Sequence, residues 1–338
     1  MIEVRTSARL HLGLLDNNGE QGRLYGSIGV AVKHPNLVLQ ADTADTLTVE
    51  GTEADRIATY ARRFCHRYGL APGVRLSLSS AIPPHVGLGS GTQLALAVGS
   101  ALARLAGLRL SVAEIASAVG RGVHSGIGIA TFQYGGFVLD GGHRLTATGD
   151  GACIQNGTAR QTAKNSIPTI LLKQPMPKDW YFVTIIPKMD PGLSGEKEQG
   201  AFLKLPVAPS GMVAKISWVL LMKMLPALLE KDIANFGQAL THIQCMVGDC
   251  FASAQGGRFA APVLEKLVDF LLANGAAGAG QSSWGPTVYG LIQGKEQGQK
   301  LKQDVQTYLD ELGGGQAFCV QPNNRGARIR AMTPSANK

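Results

Sequence analysis

Apolar and polar positions along this chain change period several times, and each change marks an element. Ile2-Glu3-Val4-Arg5 and Leu10-His11-Leu12-Gly13-Leu14 alternate with a period of two, which predicts strands. Residues 28–39 are β-rich and predict a further strand, separated from the first by the turn Asp16-Asn17-Asn18-Gly19. Residues 53–68 read as a helix closed by Gly69, and 74–78 alternate again. Leu94, Ala97, Val98, Ala101, Leu102 and Leu105 then recur at helical spacing until Gly107 stops the run. Ser111-Val112-Ala113-Glu114 has the spacing of a capping box and opens a helix to Val119, followed by a strand over 137–140. Residues 146–165 are polar and aperiodic, which puts a boundary between one domain over 1–160 and another over 165–330. In the second half, strands are predicted over 180–187, 287–292 and 316–321, and helices over 212–229, 232–252, 262–273 and 295–311. That order predicts helices on an antiparallel sheet, an α+β layer.

Between the strand at 74–78 and the helix that begins near Leu94 lies Pro83-Pro84-His85-Val86-Gly87-Leu88-Gly89-Ser90-Gly91-Thr92-Gln93. A Gly-rich loop is thus delivered onto a helix N-terminus, where unpaired N–H groups and a partial positive charge attract an anion. Gly87, Gly89 and Gly91 let a phosphate approach the backbone, while Ser90 or Thr92 can cap the helix, touch phosphate or hold a metal. No Walker-type Gly-Lys-Ser/Thr follows. Two more Gly-rich segments occur, Gly120-Arg121-Gly122-Val123-His124-Ser125-Gly126-Ile127-Gly128 and Gly278-Ala279-Gly280-Gln281-Ser282-Ser283-Trp284-Gly285-Pro286.

Composition narrows the class. The 338 residues, 45% hydrophobic and 17% charged, suit two packed domains and exclude a disordered chain. The net charge of +8 comes from scattered Lys and Arg with few aromatics beside them, so anionic metabolites are expected as partners, and nucleic acid is not. Five cysteines, an odd count, read as reduced thiols in a cytoplasmic protein. His242, Cys245, Asp249 and Cys250 lack the second ligand pair that zinc would need. The longest apolar run, near Leu220, is broken by Lys223 and Pro226, so no membrane span is expected.

The Pro-x-x-Gly-Leu-Gly-Ser core opening a long apolar helix, with the two later Gly-rich segments, resembles the GHMP family of galacto-, homoserine, mevalonate and phosphomevalonate kinases. The resemblance covers nearly the whole chain. It implies a GHMP-kinase fold, with a ribosomal-protein-like N-terminal α/β domain, a ferredoxin-like C-terminal domain and the ligand between them. Kinases of the family carry an Asp in a Ser-Gly-x-Asp run, the base on the acceptor hydroxyl. Here that run is Ser125-Gly126-Ile127-Gly128, and Gly128 replaces the acid.

Further segments resemble one subfamily, the β-ribofuranosylaminobenzene 5′-phosphate synthases: Arg9-Leu10-His11 with Asp16, Gly22-Arg23, Tyr134-Gly135-Gly136-Phe137, Asp140-Gly141-Gly142-His143, Gly195, Glu198, Phe202, and Ser282 to Thr287. Val123, His124 and Trp284 depart from its usual residues. What this resemblance implies is a condensation of phosphoribosyl pyrophosphate with 4-aminobenzoate that releases pyrophosphate and CO₂, in methanopterin-type cofactor synthesis. The missing acid then fits, because the departing CO₂ leaves the ring its electron pair and no hydroxyl has to be activated. The loop from Gly87 through Leu88, Gly89, Ser90, Gly91 and Thr92 to Gln93, with Ser125, Gly126, Gly128, Ser282 and Ser283, is expected to bind substrate. Arg23 and Arg121 are expected on phosphate oxygens, and Arg9 on phosphate or on the benzoate carboxylate. Asp16 is expected to face the cationic ribose or, with Ser90, to hold magnesium; it suits an Asx turn equally well. His11, His85 and His143 are candidates for substrate contact or for ordinary structural histidines. A homodimer is expected. An ATP-dependent kinase using the same loop, and a non-catalytic binder of the same fold, are the alternatives.

Overall fold

The computed structural model describes residues 1–71, 73–122, 125–146, 151–155, 158–162, 167–190, 200 and 205–332. Val123, His124, Gly195, Glu198 and Phe202 lie outside the described residues.

The long strands β1 (Ile2–Leu14) and β3 (Ser27–Thr43) run antiparallel and form the spine of the first sheet. Their register shifts between Ser7 and Ala8, and the two halves of β3 find different outer partners. β6 (Phe137–Asp140) pairs with Ser27 to Val30, while β5 (Val74–Ser80) pairs with Val38 to Thr43 and carries the short parallel β4 (Thr48–Glu50). β10 (Ile170–Gln174) extends the sheet beyond β6, and β15 (Arg328–Ala331) closes it on β1. The expected division at 160/165 is therefore displaced. Both β10 and β15 follow it in sequence, yet hydrogen-bond into the first sheet. The described residues within 146–165 are less irregular than their polarity predicts: β7 (His143–Thr146), β8 (Gly151–Gln155) and β9 (Thr158–Thr162) join β2 (Arg23–Leu24) in a small sheet of their own.

Helices cover one face of the first sheet. α1 (Ala54–Tyr68) turns Ile57, Ala61, Phe64 and Cys65 inward at helical spacing and ends on Gly69 in the left-handed conformation. α2 (Ser90–Leu105) is buried on every side from Gln93 to Ala103, packed against α1, α3 (Val112–Ala118), α4 (Ile127–Tyr134), β1 and β3. The capping box forms as expected: Glu114 N donates to Ser111 Oγ (3.2 Å) and Ser111 N to Glu114 Oε2 (2.7 Å).

The second sheet runs β12-β13-β11-β14, all antiparallel, from β11 (Trp180–Pro187), β12 (Gly278–Gln281), β13 (Val288–Gln293) and β14 (Gly315–Val320). With helices after its first and third strands, this is the split βαβ arrangement of a ferredoxin-like domain, as expected. The helix expected over 212–229 is three pieces, α5 (Ser210–Val219), a π turn (Leu220–Met224) and α6 (Leu225–Glu230). The break precedes Pro226, which has no N–H for the ladder. α7 (Ile233–Gln255) joins the two sheets. Its Phe236 packs between Phe137 of the first sheet (6.0 Å between centroids) and Trp180 of the second (5.1 Å), so one hydrophobic core runs through both. On the far face of the second sheet, α8 (Pro262–Ala273) and α9 (Lys295–Glu311) bury Leu264, Leu267, Leu301 and Val305 in a smaller core.

Candidate active site

The Gly-rich loop between β5 and α2 is pinned from two sides. From β1, Arg9 N donates to Leu88 O (3.1 Å) and Arg9 Nη1 to Gly87 O. From the loop before β13, Ser282 Oγ donates to Gly87 O (2.7 Å) and accepts from His11 N (2.9 Å), while Thr287 Oγ1 donates to Val86 O (2.5 Å). The two loops touch backbone to backbone. A Cβ on Gly285 would lie 2.2 Å from Gly87 N, and one on Gly87, whose φ is +87°, would lie 2.2 Å from Ser282 O. Glycine at both positions is what lets the halves of the molecule meet there.

The loop ends at an uncapped helix. Gly89, at φ 78°, is the N-cap of α2 and no side chain caps it. The capping bond expected from Ser90 or Thr92 is not made. Thr92 N and Gln93 N fold back on Gly89 O (both 3.1 Å), and the amides of the first turn face outward with the positive end of the dipole.

Arginines gather around this terminus. A Cβ on Gly89 would lie 3.0 Å from Arg9 Cγ, and one on Gly91 would lie 2.8 Å from Arg56 Nη2 and 3.2 Å from Arg121 Nη2. Arg121 donates to Tyr60 Oη, and its Cζ lies 5.1 Å from the centre of that ring. Arg56 Nη1 pairs with Glu53 Oε2. Arg9 and Arg121 are thus both at the loop. Arg56 is there too, and the sequence pattern does not single it out. Its spacing of four from the buried Tyr60 puts it on the inner face of α1, but only the packing of α1 on α2 brings it to Gly91.

Other candidates have different work. Arg23 Nε and Nη2 donate to the carbonyls of Gly141 (2.5 Å) and Gly142 (2.7 Å), so the fork expected on phosphate locks the turn after β6. Asp16 Oδ1 accepts from Asn18 N (2.7 Å) and Gly19 N (3.0 Å), an Asx turn. Gln93 is fully buried, accepting from Thr6 Oγ1 (2.5 Å) and donating to Gly128 O (2.8 Å), so its amide ties elements together. The Leu88 side chain belongs to the core, and Ser283 holds a left-handed backbone at φ 59° while its carbonyl accepts from Gln281 (3.1 Å). Gly128 is the second residue of α4, its Cβ position 3.0 Å from Thr92 Cγ2. His11 is buried, and desolvation, then the charge of Arg9, lowers its pKa to about 3, so the ring is neutral. His85 is exposed at φ 60°, and His143 is buried in β7.

Asp140, a motif residue to which the sequence assigns no role, organises the second Gly-rich segment. Fully buried, it accepts from Ser27 Oγ (2.7 Å), Gly126 N (3.0 Å) and Gly142 N (2.9 Å). Ser27 Oγ in turn meets Ser125 Oγ (2.9 Å). Burial raises the Asp140 pKa to about 6 against the lowering effect of those hydrogen bonds.

Among the described residues, no three His, Cys, Asp or Glu side chains gather as a metal set. Asp249 is instead paired with Arg258 (2.8 Å).

Comparison with known proteins agrees with this architecture. Residues 55–136 match the GHMP kinases N terminal domain, and 224–311 the GHMP kinases C terminal domain. The chain is 34% identical to the beta-ribofuranosylphenol 5'-phosphate synthase of Methanothermobacter thermautotrophicus, over 96% of this chain and 97% of that one. It is 33% identical to the protein of the same name from Archaeoglobus fulgidus, over 97% and 99%. Homoserine kinase from Cytophaga hutchinsonii has the same fold, with a TM-score of 0.65 at 18% identity and 97% of both chains covered. The chain is an enzyme of the GHMP family, and within that family it belongs to the beta-ribofuranosylphenol 5'-phosphate synthases.

Proposed function

We propose that the chain joins phosphoribosyl pyrophosphate to a para-substituted benzoate, releasing pyrophosphate and CO₂. The ring carbon that bears the carboxylate attacks ribose C1, the bond from C1 to pyrophosphate breaks, and the electron pair of the departing CO₂ restores the aromatic ring. A para amino or hydroxyl group supplies the push. The family resemblance suggests the amine of 4-aminobenzoate, whereas the relatives' names, which print a ribofuranosylphenol, favour 4-hydroxybenzoate.

The observation that carries this proposal is the uncapped N-terminus of α2 between Arg9 and Arg121. Backbone donors and guanidinium forks stabilise a leaving pyrophosphate by preorganised electrostatics. The kinase-type carboxylate has no counterpart at Gly128, which packs on Thr92. Magnesium would neutralise charge on the pyrophosphate; of the residues expected to hold it, Ser90 opens α2 at the loop, while Asp16 has its Oδ1 engaged in its own turn. The four described cysteines are free thiols, which supports a reducing compartment and the expected cytoplasmic setting.

The expected homodimer has a candidate surface. Trp218 and Met222, 64% and 68% exposed, lie with Lys223 and Glu230 along a groove of about 490 Å³ on α5 and α6. The segment Ser210–Glu230 is also the one described helix long and apolar enough to cross a bilayer. It buries Ile216, Val219, Leu220, Met224 and Leu228 in the core, as a packed helix does.

Carboxyl-labelled 4-hydroxybenzoate and 4-aminobenzoate, each incubated with phosphoribosyl pyrophosphate and magnesium, test the reaction. Labelled CO₂ from either upholds it, and the faster substrate names the para group. ATP consumption with a hydroxylated acceptor, and no CO₂, would replace it with phosphoryl transfer.

A further inference from the structure

We propose that Arg56 is a phosphate ligand of this active site and that Glu53 is the residue that positions it. The inference rests on the proposal above that the loop takes a polyphosphate, and it adds residues to which neither the motifs nor the relatives assign a role.

Gly91 is one observation. Two guanidinium groups, Arg56 Nη2 at 2.8 Å and Arg121 Nη2 at 3.2 Å, lie against the position its Cβ would occupy. Any side chain at 91 would displace them. Both lie at the positive end of a helix dipole, so an anion bound there meets two guanidinium edges and the first-turn amides together.

Glu53 is the other. It is the N-cap of α1, where an acidic side chain ordinarily receives a backbone N–H, yet it makes no capping bond. Its backbone is left-handed, at φ 64°, a conformation that costs a residue with a Cβ. Its carboxylate instead takes Arg56 Nη1, which leaves the Nη2 edge directed at Gly91. Helix capping and a relaxed backbone are both given up, and what is held in return is the orientation of one guanidinium.

The site then has two anion-binding flanks, Arg9 at Gly89 and the Arg56–Arg121 pair at Gly91. Phosphoribosyl pyrophosphate carries two anionic groups, the pyrophosphate and the 5-phosphate, and either has the chemistry for the pair.

Calorimetric titration of the full chain with inorganic pyrophosphate, ribose 5-phosphate and phosphoribosyl pyrophosphate decides the matter. Arg56→Ala should bind phosphoribosyl pyrophosphate about tenfold or more weakly, the loss of one charge-assisted contact. An equal loss on one of the two fragments identifies the phosphate. Arg56→Lys should recover part of the loss, because it keeps the charge without the fork. Glu53→Gln should fall between parent and Arg56→Ala with its melting temperature close to the parent's. Arg104→Ala removes the same charge from the other end of α2 and should bind as the parent does. Unchanged affinity of Arg56→Ala for all three ligands overturns the proposal, as does an equal loss in Arg104→Ala. Should Arg56→Ala fail to fold, parent-like affinity in both Arg56→Lys and Glu53→Gln overturns it. A parent that binds pyrophosphate but releases no CO₂ removes the reaction proposed above, and the Arg56 assignment is then judged on pyrophosphate alone.

Discussion

Gly128 shows how a single residue changes meaning once its neighbours are known. As the residue in place of a kinase acid, it suggests a carboxylate that would point at the acceptor and a backbone that needs positive φ. In the structure it is helical, and its missing Cβ faces Thr92 Cβ at 3.1 Å. Crowding therefore decides, at about 1–3 kcal/mol for overpacking. Gly128→Asp and Gly128→Asn should lose CO₂ release alike; activity kept by Asn and lost by Asp would restore charge repulsion as the cause. The two arginines expected on phosphate now separate as well. Arg121→Ala should weaken phosphoribosyl pyrophosphate binding about tenfold or more, whereas Arg23→Ala should chiefly lower the unfolding midpoint, because its partners are the carbonyls of Gly141 and Gly142. Equilibrium titration and urea unfolding of both variants check this. Asp140 sets a pH dependence. Its pKa rises from 3.8 unfolded to about 6 folded, so its stabilising proton is fully bound below 3.8 and lost as pH climbs through 6. Asp140→Asn abolishes that titration. The stability difference between parent and variant, read by urea unfolding, should favour the parent more at pH 5 than at pH 7.5, by on the order of 1 kcal/mol.

At the scale of elements, the contrast lies between helix ends that close on themselves and ends that are left open, α2 among them. α3 satisfies its own terminus through the Ser111–Glu114 box, so Ser111→Ala should cost about 1 kcal/mol and leave substrate affinity alone. α2 has no such cap, and its amides remain for a ligand. The loop that feeds it is shaped by a second loop, from the other half of the chain. Gly285→Ala would push a methyl group into Gly87 N and the Val86 carbonyl, at 2.2–2.3 Å. That variant should lose phosphoribosyl pyrophosphate affinity while its far-UV dichroism stays that of the parent. Retained affinity would show that the loop keeps its shape without the contact.

Taken whole, the two large sheets share one core, and the candidate active site lies where they meet. Gln244 on α7 donates to Leu12 O (2.6 Å) and accepts from Gln281 N (2.9 Å), holding β1 to β12 beneath the loop. Ser282 repeats that bridge at the loop itself, between His11 N and Gly87 O. Removing its hydroxyl leaves a buried amide without its acceptor, at about 1–3 kcal/mol. Ser282→Ala should therefore lower both the unfolding midpoint and the affinity for phosphoribosyl pyrophosphate, and a fall in stability alone would separate the bridge from the site.

Arg9 and Arg121 entered only through the family resemblance, whereas period, caps and glycine spacing by themselves determined most elements, the α+β class and the loop that ends on a helix N-terminus. These are local properties: which side chains share a face, which residue permits a turn, where a helix leaves its amides open. Tertiary structure alone decided the rest. It returned β10 and β15 to the first sheet, because strand pairing is chosen by register and space and leaves no periodic mark. It turned Arg23 and Asp16 onto nearby backbone and buried Gln93, uses that their residue types share with ligand binding. And it carried Arg56 from an ordinary helix face to Gly91, a proximity that exists only once α1 lies on α2.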